Sequence, residues 1–225
     1  MAEKYGTVPP KFTPAWWEYF WMYYKIYVII AVLAIITAIV TIHQIVTAPK
    51  YDFTITYAGN SAFTEEMSDE LVSALSPMCK DLDGNKEKSI NFTQINLNTD
   101  DASYNASMNS KLMLSLSEQD VYIYFLERNV AETFISSKND SSFIPASDWY
   151  EGDISKLGKF EKDGIAFGIE LTDCAVFKEL AKKTGADFSN NYVFVRYYPR
   201  PDQEKKQADG HKAAMELAEK IVTGQ

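Results

Sequence analysis

The chain has 225 residues and a formal net charge of −9, with 46% hydrophobic and 24% charged residues. This length allows one domain with an anchor, but not two full domains. From residue 51 onward the chain carries 18 Lys and Arg against 29 Asp and Glu. Such an acidic surface repels phosphates, so a nucleic-acid partner is not expected.

An uncharged run of 17 residues extends from Ile26 to Ile42, and it reaches 21 residues at Val46. About 20 helical residues cross the roughly 30 Å hydrocarbon core of a bilayer. A buried core helix is not expected, because the run is too long and is apolar all round, with no polar stripe. A cleaved signal peptide usually has a shorter apolar region of about 7–15 residues. We therefore predict one transmembrane helix over residues 26–46 that binds the lipid bilayer.

Residues 1–25 form the predicted cytoplasmic tail, whose last part is an aromatic interfacial segment, WWEYFWMYYK. Tyr and Trp rings favour the boundary between membrane and water. Basic residues mark the cytoplasmic side of a span. Lys4, Lys11 and Lys25 precede the helix, whereas only Lys50 follows closely. These residues predict a single-pass protein of the cell membrane with a cytoplasmic N-terminus and an extracellular domain at residues 51–225.

The extracellular part alternates between the period of strands and the period of helices. Alternation of this kind predicts an α/β domain of three layers with a mostly parallel sheet of five strands. Residues 120–127 are almost continuously apolar, which is typical of a central strand. Residues 137–162 read as a loop. Strands are predicted at 51–59, 89–98, 120–127, 164–171 and 191–199, and helices at 64–79, 100–118, 129–136, 172–183 and 202–222, the fourth helix capped by Thr172-Asp173.

The chain shows no arrangement typical of an enzyme, a metal site or a cofactor site. It has no GxSxG, HExxH or P-loop sequence. His43 falls in the predicted span, and His211 is expected to be solvated on a polar helix face. Asp81 and Asp83 begin a D-x-D-x-N turn, but the spacing departs from that of an EF-hand. We therefore expect a protein that is not an enzyme and holds no metal or cofactor.

The chain has two cysteines, Cys79 and Cys174. They lack the CxxC or CxxH spacing of a zinc site. Two alternatives stay open at this level. The pair could form a disulfide, or each could be a buried free thiol, because Cys is among the most frequently buried residue types.

Ligands of open α/β sheets bind beyond the carboxyl ends of the strands, where the strand order reverses. Tyr57 offers a ring and a hydroxyl, while Gly59 and Asn60 allow close approach to the backbone. Arg128 has the fork geometry to hold a carboxylate. Each candidate also has a purely structural alternative, as a turn, a helix cap or a surface pair. The predicted ligand-binding residues are Tyr57, Gly59, Asn60, Asn98, Asp100, Glu127 and Arg128.

The order of these elements resembles that of the type 2 extracellular solute-binding proteins. The resemblance covers roughly residues 51–222 and is carried by short motifs. It implies a reduced, one-lobed and membrane-anchored version of that fold, as in clostridia and related Gram-positive bacteria, which binds a small solute or peptide. The motifs are Asp120-Val121-Tyr122-Ile123, the residues Phe134, Phe143 and Pro145, the GIAFGIEL strand at 164–171 and the final helix, Lys212–Val222.

A second hypothesis is a non-catalytic accessory subunit that docks on another membrane protein, such as a transporter. Thr47–Lys50 leaves only four residues between the predicted span and the first strand. Such a linker reaches about 14 Å at most. It would keep the domain close to the bilayer or to a neighbouring protein.

Overall fold

The structure is a computed structural model. By backbone contacts the chain divides into two compact units, Met1–Lys50 and Tyr51–Gln225, each of which is described by itself. The description covers residues 9–47, 50–61, 63–97, 100–118, 121–135, 142–197 and 205–225, with the side chains of 205–207 left aside.

The first unit is dominated by one helix, α1 (Pro14–Thr47), of 34 residues, none of which is buried. At about 1.5 Å per residue it is about 51 Å long. It is long and apolar enough to be compatible with a single transmembrane anchor. The predicted span forms its C-terminal two thirds.

The aromatic segment is part of the same helix, which begins at Pro14, where proline is well tolerated. Three rings four residues apart stack along one side of it. The ring centroids of Trp16 and Phe20 lie 5.4 Å apart, and those of Phe20 and Tyr24 lie 5.5 Å apart. The segment that we predicted as an aromatic interfacial segment is therefore helical.

The second unit is built on an open sheet of six strands in the order β2-β1-β3-β6-β5-β4. Strand β1 pairs in parallel with β2 and β3, while the pairs β3–β6, β6–β5 and β5–β4 are antiparallel. The strands are β1 (Phe53–Gly59), β2 (Ile90–Asn96), β3 (Val121–Glu127), β4 (Lys159–Lys162), β5 (Ile165–Glu170) and β6 (Asn191–Val195).

The prediction of five mostly parallel strands is therefore wrong in number and in direction. The missed strand, β4, lies in the segment predicted as a loop, and three of its four residues are charged. A two-residue turn joins it to β5, with positive φ at both Asp163 (51°) and Gly164 (77°). Asp-Gly with this geometry is typical of a tight β-hairpin. The dipeptide was the available signal for this pair of strands.

Within the described residues five α-helices accompany the sheet, and each overlaps a helix predicted from the sequence. Thr64 caps the first of them by accepting a hydrogen bond from the backbone N–H of Met67 at 3.2 Å. The predicted cap at Thr172-Asp173 is wrong, because Leu171–Asp173 forms a 3-10 turn and the helix starts at Ala175. The helices are α2 (Glu65–Leu75), α3 (Ala102–Ser117), α4 (Arg128–Phe134), α5 (Ala175–Thr184) and α6 (Lys205–Thr223).

The central strand β3 divides the core. Ile123 and Phe125 belong to one cluster of buried residues, to which α2, α5 and α6 contribute. Tyr124 and Leu126 belong to a second cluster, to which α3 and α4 contribute. Successive side chains of a strand point to opposite faces of the sheet. Strand β3 therefore buries both of its faces, as its continuous apolar sequence predicts.

Both cysteines are buried free thiols, so the structure has the second of the two alternatives left open by the sequence. Each thiol donates to a backbone carbonyl three or four residues earlier in the chain. The Sγ atom of Cys79 lies 3.1 Å from the oxygen of Ser76, and that of Cys174 lies 3.4 Å from the oxygen of Glu170. Burial raises the pKa of both thiols, which keeps them protonated and unreactive.

His211 is not solvated as predicted, but is half-buried where α6 meets the sheet. Its Nε2 lies 2.9 Å from the carbonyl oxygen of Arg196. Since a carbonyl only accepts, Nε2 carries the proton. The ring also makes an edge contact with Tyr122 at 5.6 Å between centroids. The buried guanidinium of Arg196 donates to the carbonyls of Glu118 and Val121, so the histidine lies beside a strand that is firmly held.

Burial lowers the pKa of His211, with a smaller contribution from the charge of Arg196, while the hydrogen bond to the Arg196 carbonyl opposes both. The unfolded chain therefore binds more protons than the folded protein below about pH 6.5. We expect the stability to be full above this pH and to fall as the pH drops from about 6.5 towards 5. Urea unfolding of the full-length protein in detergent, followed by circular dichroism across this range, measures the effect.

The control is the variant His211→Gln, which keeps a donor but does not titrate. Its stability should depend less on pH between 5 and 7 than that of the wild type. Equal slopes for both proteins would show that His211 does not contribute to the pH dependence.

Candidate functional site

The carboxyl ends of the three parallel strands meet at one edge of the sheet. Strand β1 lies between β2 and β3. The connection from β1 to β2 therefore runs to one side of β1, and the connection from β2 to β3 returns to the other side. A reversal of this kind leaves a crevice at the carboxyl ends, which is where ligands of open α/β sheets bind. Gly59 and Glu127, the last residues of β1 and β3, lie at this edge.

A small crevice of about 230 Å³ opens at this edge, between α3 and α4. Its lining is mainly polar and carries no ionisable side chain among the described residues. Apolar side chains at three positions complete it. The lining residues are Asn60, Leu97, Asn105, Asn109, Asn129, Val130, Thr133 and Phe134.

The amides reach the crevice because of how the two helices begin. Asp101 caps α3 by accepting from the backbone N–H groups of Ser103 and Tyr104 at 2.8 and 3.1 Å. Asn105 and Asn109 follow this cap four residues apart, a spacing that places them on one face of the helix. Both side chains therefore line the crevice from the first two turns of α3.

The shorter helix α4 supplies the opposite wall. It begins directly after β3, and the Oδ1 atom of Asn129 accepts from the backbone N–H of Val130 at 2.7 Å. The hydroxyl of Thr133 donates to the carbonyl oxygen of Asn129 at 3.1 Å. These bonds hold the two polar side chains of α4 one turn apart, facing α3.

Asn60 is fixed at the crevice by Glu127. Its backbone N–H donates to the Oε2 atom of Glu127 at 2.6 Å. The carboxylate of Glu127 can come this close to Asn60 because Gly59 has no side chain. A Cβ atom at Gly59 would lie 2.5 Å from the hydroxyl of Tyr57 and 3.0 Å from Oε2 of Glu127. Only glycine leaves room for both groups here.

Tyr57 supports this arrangement from within the core and does not line the crevice. Its side chain is 1% exposed, and its hydroxyl makes no hydrogen bond of normal geometry to a described residue. Burial raises its pKa, and the negative charge of Glu127 raises it further, while the nearby backbone N–H of Ser61 opposes them weakly. The hydroxyl is therefore neutral at any physiological pH.

The structure thus brings together four of the predicted site residues, Tyr57, Gly59, Asn60 and Glu127, of which only Asn60 lines the crevice. Asp100 is exposed, and the neighbouring Asp101 acts as the cap of α3. Asn98 lies outside the described residues.

Arg128 is directed away from the crevice. Its guanidinium donates to the hydroxyl of Tyr192 and lies 5.1 Å from the centroid of that ring. It also approaches the ring of Phe160, at 5.9 Å. This contact, rather than a clamp on a carboxylate, is the role that the structure gives to Arg128.

Sequence reasoning missed the polar residues that the helices bring to the crevice, namely Asn105, Asn109, Asn129 and Thr133. The signal was present as two pairs of polar residues spaced four apart, one in each helix. It was not distinctive, because α3 is rich in Ser and Asn throughout.

Two other features lie away from this edge. Carboxylate oxygens of Asp52, Asp81 and Asp83 lie within 4.8 Å of one another. Backbone N–H groups of the turn bind them, as with Gly84 and Lys86, which donate to Asp81 at 2.6 and 2.9 Å and lower its pKa. The cluster therefore organises the turn.

The second feature is a larger groove of about 620 Å³, mostly apolar, where α5 adjoins the end of α2 and the C-terminal residues. Four alanines, at positions 74, 175, 181 and 186, lie among its lining residues. Charged side chains of α5 lie among its lining residues, and one of them, Lys182, pairs with Glu179 at 2.6 Å.

The chain matches no family model, no curated protein and no solved structure. The resemblance to solute-binding proteins therefore stays a prediction from the sequence.

The hydroxyl of Tyr57, which makes no hydrogen bond of normal geometry to a described residue, leads to a stability prediction. An unpaired buried hydroxyl contributes no hydrogen bond, so the variant Tyr57→Phe should be as stable as the wild type or more stable. Tyr124 is the matched control, because it is also fully buried but its hydroxyl lies 3.1 Å from the Oγ atom of Ser115. Tyr124→Phe should lose about 1 kcal/mol of unfolding free energy. Urea unfolding in detergent measures both.

Equal losses in the two variants would contradict this reading. They would mean that the Tyr57 hydroxyl has a hydrogen-bond partner in the folded protein.

Proposed function

We propose that the protein is a membrane-anchored extracellular receptor domain that binds a small solute or peptide. In this proposal a three-layer α/β domain, comparable with one lobe of a solute-binding protein, presents the crevice at the carboxyl ends of β1, β2 and β3. The observation that carries the proposal is the position of this polar crevice, at the reversal of strand order.

The construction of the crevice supports binding. A ligand site needs a few polar groups held in fixed positions beside apolar surface. The Glu127–Asn60 bond and the cap of α3 hold such groups on two sides. Val130 is buried at the base of the crevice.

Binding without catalysis is the form that the described residues favour. His211 is engaged by the Arg196 carbonyl, far in the fold from the crevice, and both thiols are buried and protonated. A nucleophile needs a base within hydrogen-bond reach. Among the described lining residues the only hydroxyl is that of Thr133, which donates to a backbone carbonyl.

The anchor is the second part of the proposal. Helix α1 would span the cell membrane with its N-terminus in the cytoplasm, on the side of Lys11 and Lys25. The aromatic rings between Trp16 and Tyr27 would then lie at the cytoplasmic interface, where such rings are stable. Domain 51–225 would face the exterior.

This topology predicts that the protein stays in the membrane pellet after extraction with alkaline carbonate, because a spanning helix is held by hydrophobic burial. Protease added to intact cells should degrade the domain and leave a protected fragment containing α1. Release by carbonate would exclude the spanning helix. Protection of the domain in intact cells would reverse its sidedness and exclude the receptor.

The crevice predicts a ligand-dependent rise in melting temperature when the full-length protein is screened against a library of metabolites. The variant Asn109→Leu, which removes one polar wall, should weaken binding of any hit by at least about tenfold, the size of one lost hydrogen bond to a ligand. The matched control is Ser110→Leu, an exposed neighbour on α3 outside the crevice. Absence of any hit, or equal effects of the two variants, would count against the crevice as a binding site.

The alternative, an accessory subunit docked on a transporter or another membrane protein, is favoured by one observation, the apolar groove beside α5. A groove of this kind suits an apolar element of a partner. A stoichiometric partner in mild detergent, together with no solute binding, would favour this alternative over the receptor.

A further inference from the structure

We infer that the crevice takes an uncharged solute bearing several hydroxyl groups, of the size of a single sugar or cyclic polyol ring. This inference rests on the proposed function, since it specifies the ligand class of the same crevice. It follows from the charge, the hydrogen-bonding groups and the volume of the site.

The described lining of the crevice carries no charge. Four Asn and one Thr supply all the polar side chains among the described lining residues. The domain as a whole is strongly acidic, so a lining without charge stands out from its surroundings. An ionised ligand loses hydration on binding and needs an opposite charge to compensate. The described walls of this crevice offer none.

Three charged residues close in sequence to the lining, Glu127, Asp101 and Arg128, are engaged elsewhere. The Oε2 atom of Glu127 accepts the backbone N–H of Asn60. The carboxylate of Asp101 accepts two backbone N–H groups at the start of α3. The guanidinium of Arg128 bonds to the hydroxyl of Tyr192. None of these side chains lines the crevice.

The amides of the crevice match the hydrogen-bonding pattern of hydroxyl groups. A carboxamide provides one acceptor and two donors, and a hydroxyl group both donates and accepts. Neighbouring hydroxyls on a ring therefore match a set of amides. The side chains of Asn60 and Asn109 make no hydrogen bond to a described residue. Asn129 uses only its Oδ1 atom, which leaves its amide N–H groups to a ligand.

The apolar side and the volume of the crevice suit a single ring. Leu97, Val130 and Phe134 give the crevice an apolar side. A sugar or cyclitol ring has carbon-bound hydrogens that pack on such a surface while its hydroxyls reach the amides. The volume of about 230 Å³ lies below the roughly 300–1,000 Å³ of pockets for drug-sized ligands. A single ring fits this volume better than an oligosaccharide or a peptide.

Calorimetric titration of the full-length protein tests the inference. The protein is held in a polyoxyethylene detergent, because the head groups of glycoside detergents are themselves sugars. The neutral probes are D-glucose, D-ribose and myo-inositol, and the charged probes are L-glutamate and inorganic phosphate. At least one neutral probe should bind with a Kd of about 1 mM or tighter, and neither charged probe should bind.

The variants assign this binding to the crevice. Asn60→Leu and Asn129→Leu should each weaken binding of the neutral probe by at least tenfold, whereas Ser107→Leu, on α3 outside the crevice, should leave it unchanged. Near-wild-type unfolding curves identify the variants that are folded and suitable for comparison. If Asn60→Leu is unfolded, Asn129→Leu alone decides, since its side chain is exposed.

The outcomes separate this inference from the proposed function. Binding of glutamate or phosphate that Asn129→Leu abolishes, with no binding of the neutral probes, would overturn the ligand class and leave a solute receptor. Binding of a neutral probe that no crevice variant weakens would overturn the site. Failure of all five probes would overturn the inference, and failure of the metabolite library as well would overturn the proposed function.

Discussion

The parallel alignment of β1 with both β2 and β3 is the constraint on which the rest of the domain depends. Parallel strands bring their carboxyl ends to one edge, and the helices that follow them must begin there. Asn60 follows β1, α3 follows β2 and α4 follows β3. The crevice is therefore a direct consequence of strand direction. Had the strands alternated in direction, the same side chains would be divided between two edges.

One close approach stabilises this edge. The carboxylate of Glu127 reaches across from β3 to the backbone of Asn60 because Gly59 has no side chain. A charged acceptor makes a stronger hydrogen bond than a neutral one. The cost is visible in Tyr57, whose hydroxyl is buried beside the same carboxylate without a hydrogen-bond partner of normal geometry among the described residues. A buried unpaired group next to a predicted ligand site is a common compromise between stability and function.

The antiparallel half of the sheet has a different role. Strand β6 pairs with β3 and carries Tyr192, which holds the guanidinium of Arg128. The β4–β5 hairpin forms the edge of the sheet opposite β2. The antiparallel half thus holds the guanidinium of Arg128 at Tyr192, outside the crevice. The neutral character of the crevice is thus a product of both halves of the sheet.

The sequence by itself determined the apolar helix, the approximate bounds of most strands and helices, and the edge of the sheet at which candidate residues meet. These features depend on local composition and periodicity, which a single chain displays directly. Tyr57, Gly59, Asn60 and Glu127 were predicted together because each lies at or near a strand end.

Only the tertiary structure decided the direction of β6 relative to β3, the contact between Arg128 and Tyr192, and the crevice residues of α3 and α4. Strand direction depends on pairing between segments far apart in sequence, which periodicity does not record. The rotation of a helix about its axis likewise depends on packing when its polar and apolar residues are poorly separated, as they are in α3. The crevice depends on both the strand directions and the helix rotations. The sequence therefore shows which residues are present, but not that they line one crevice.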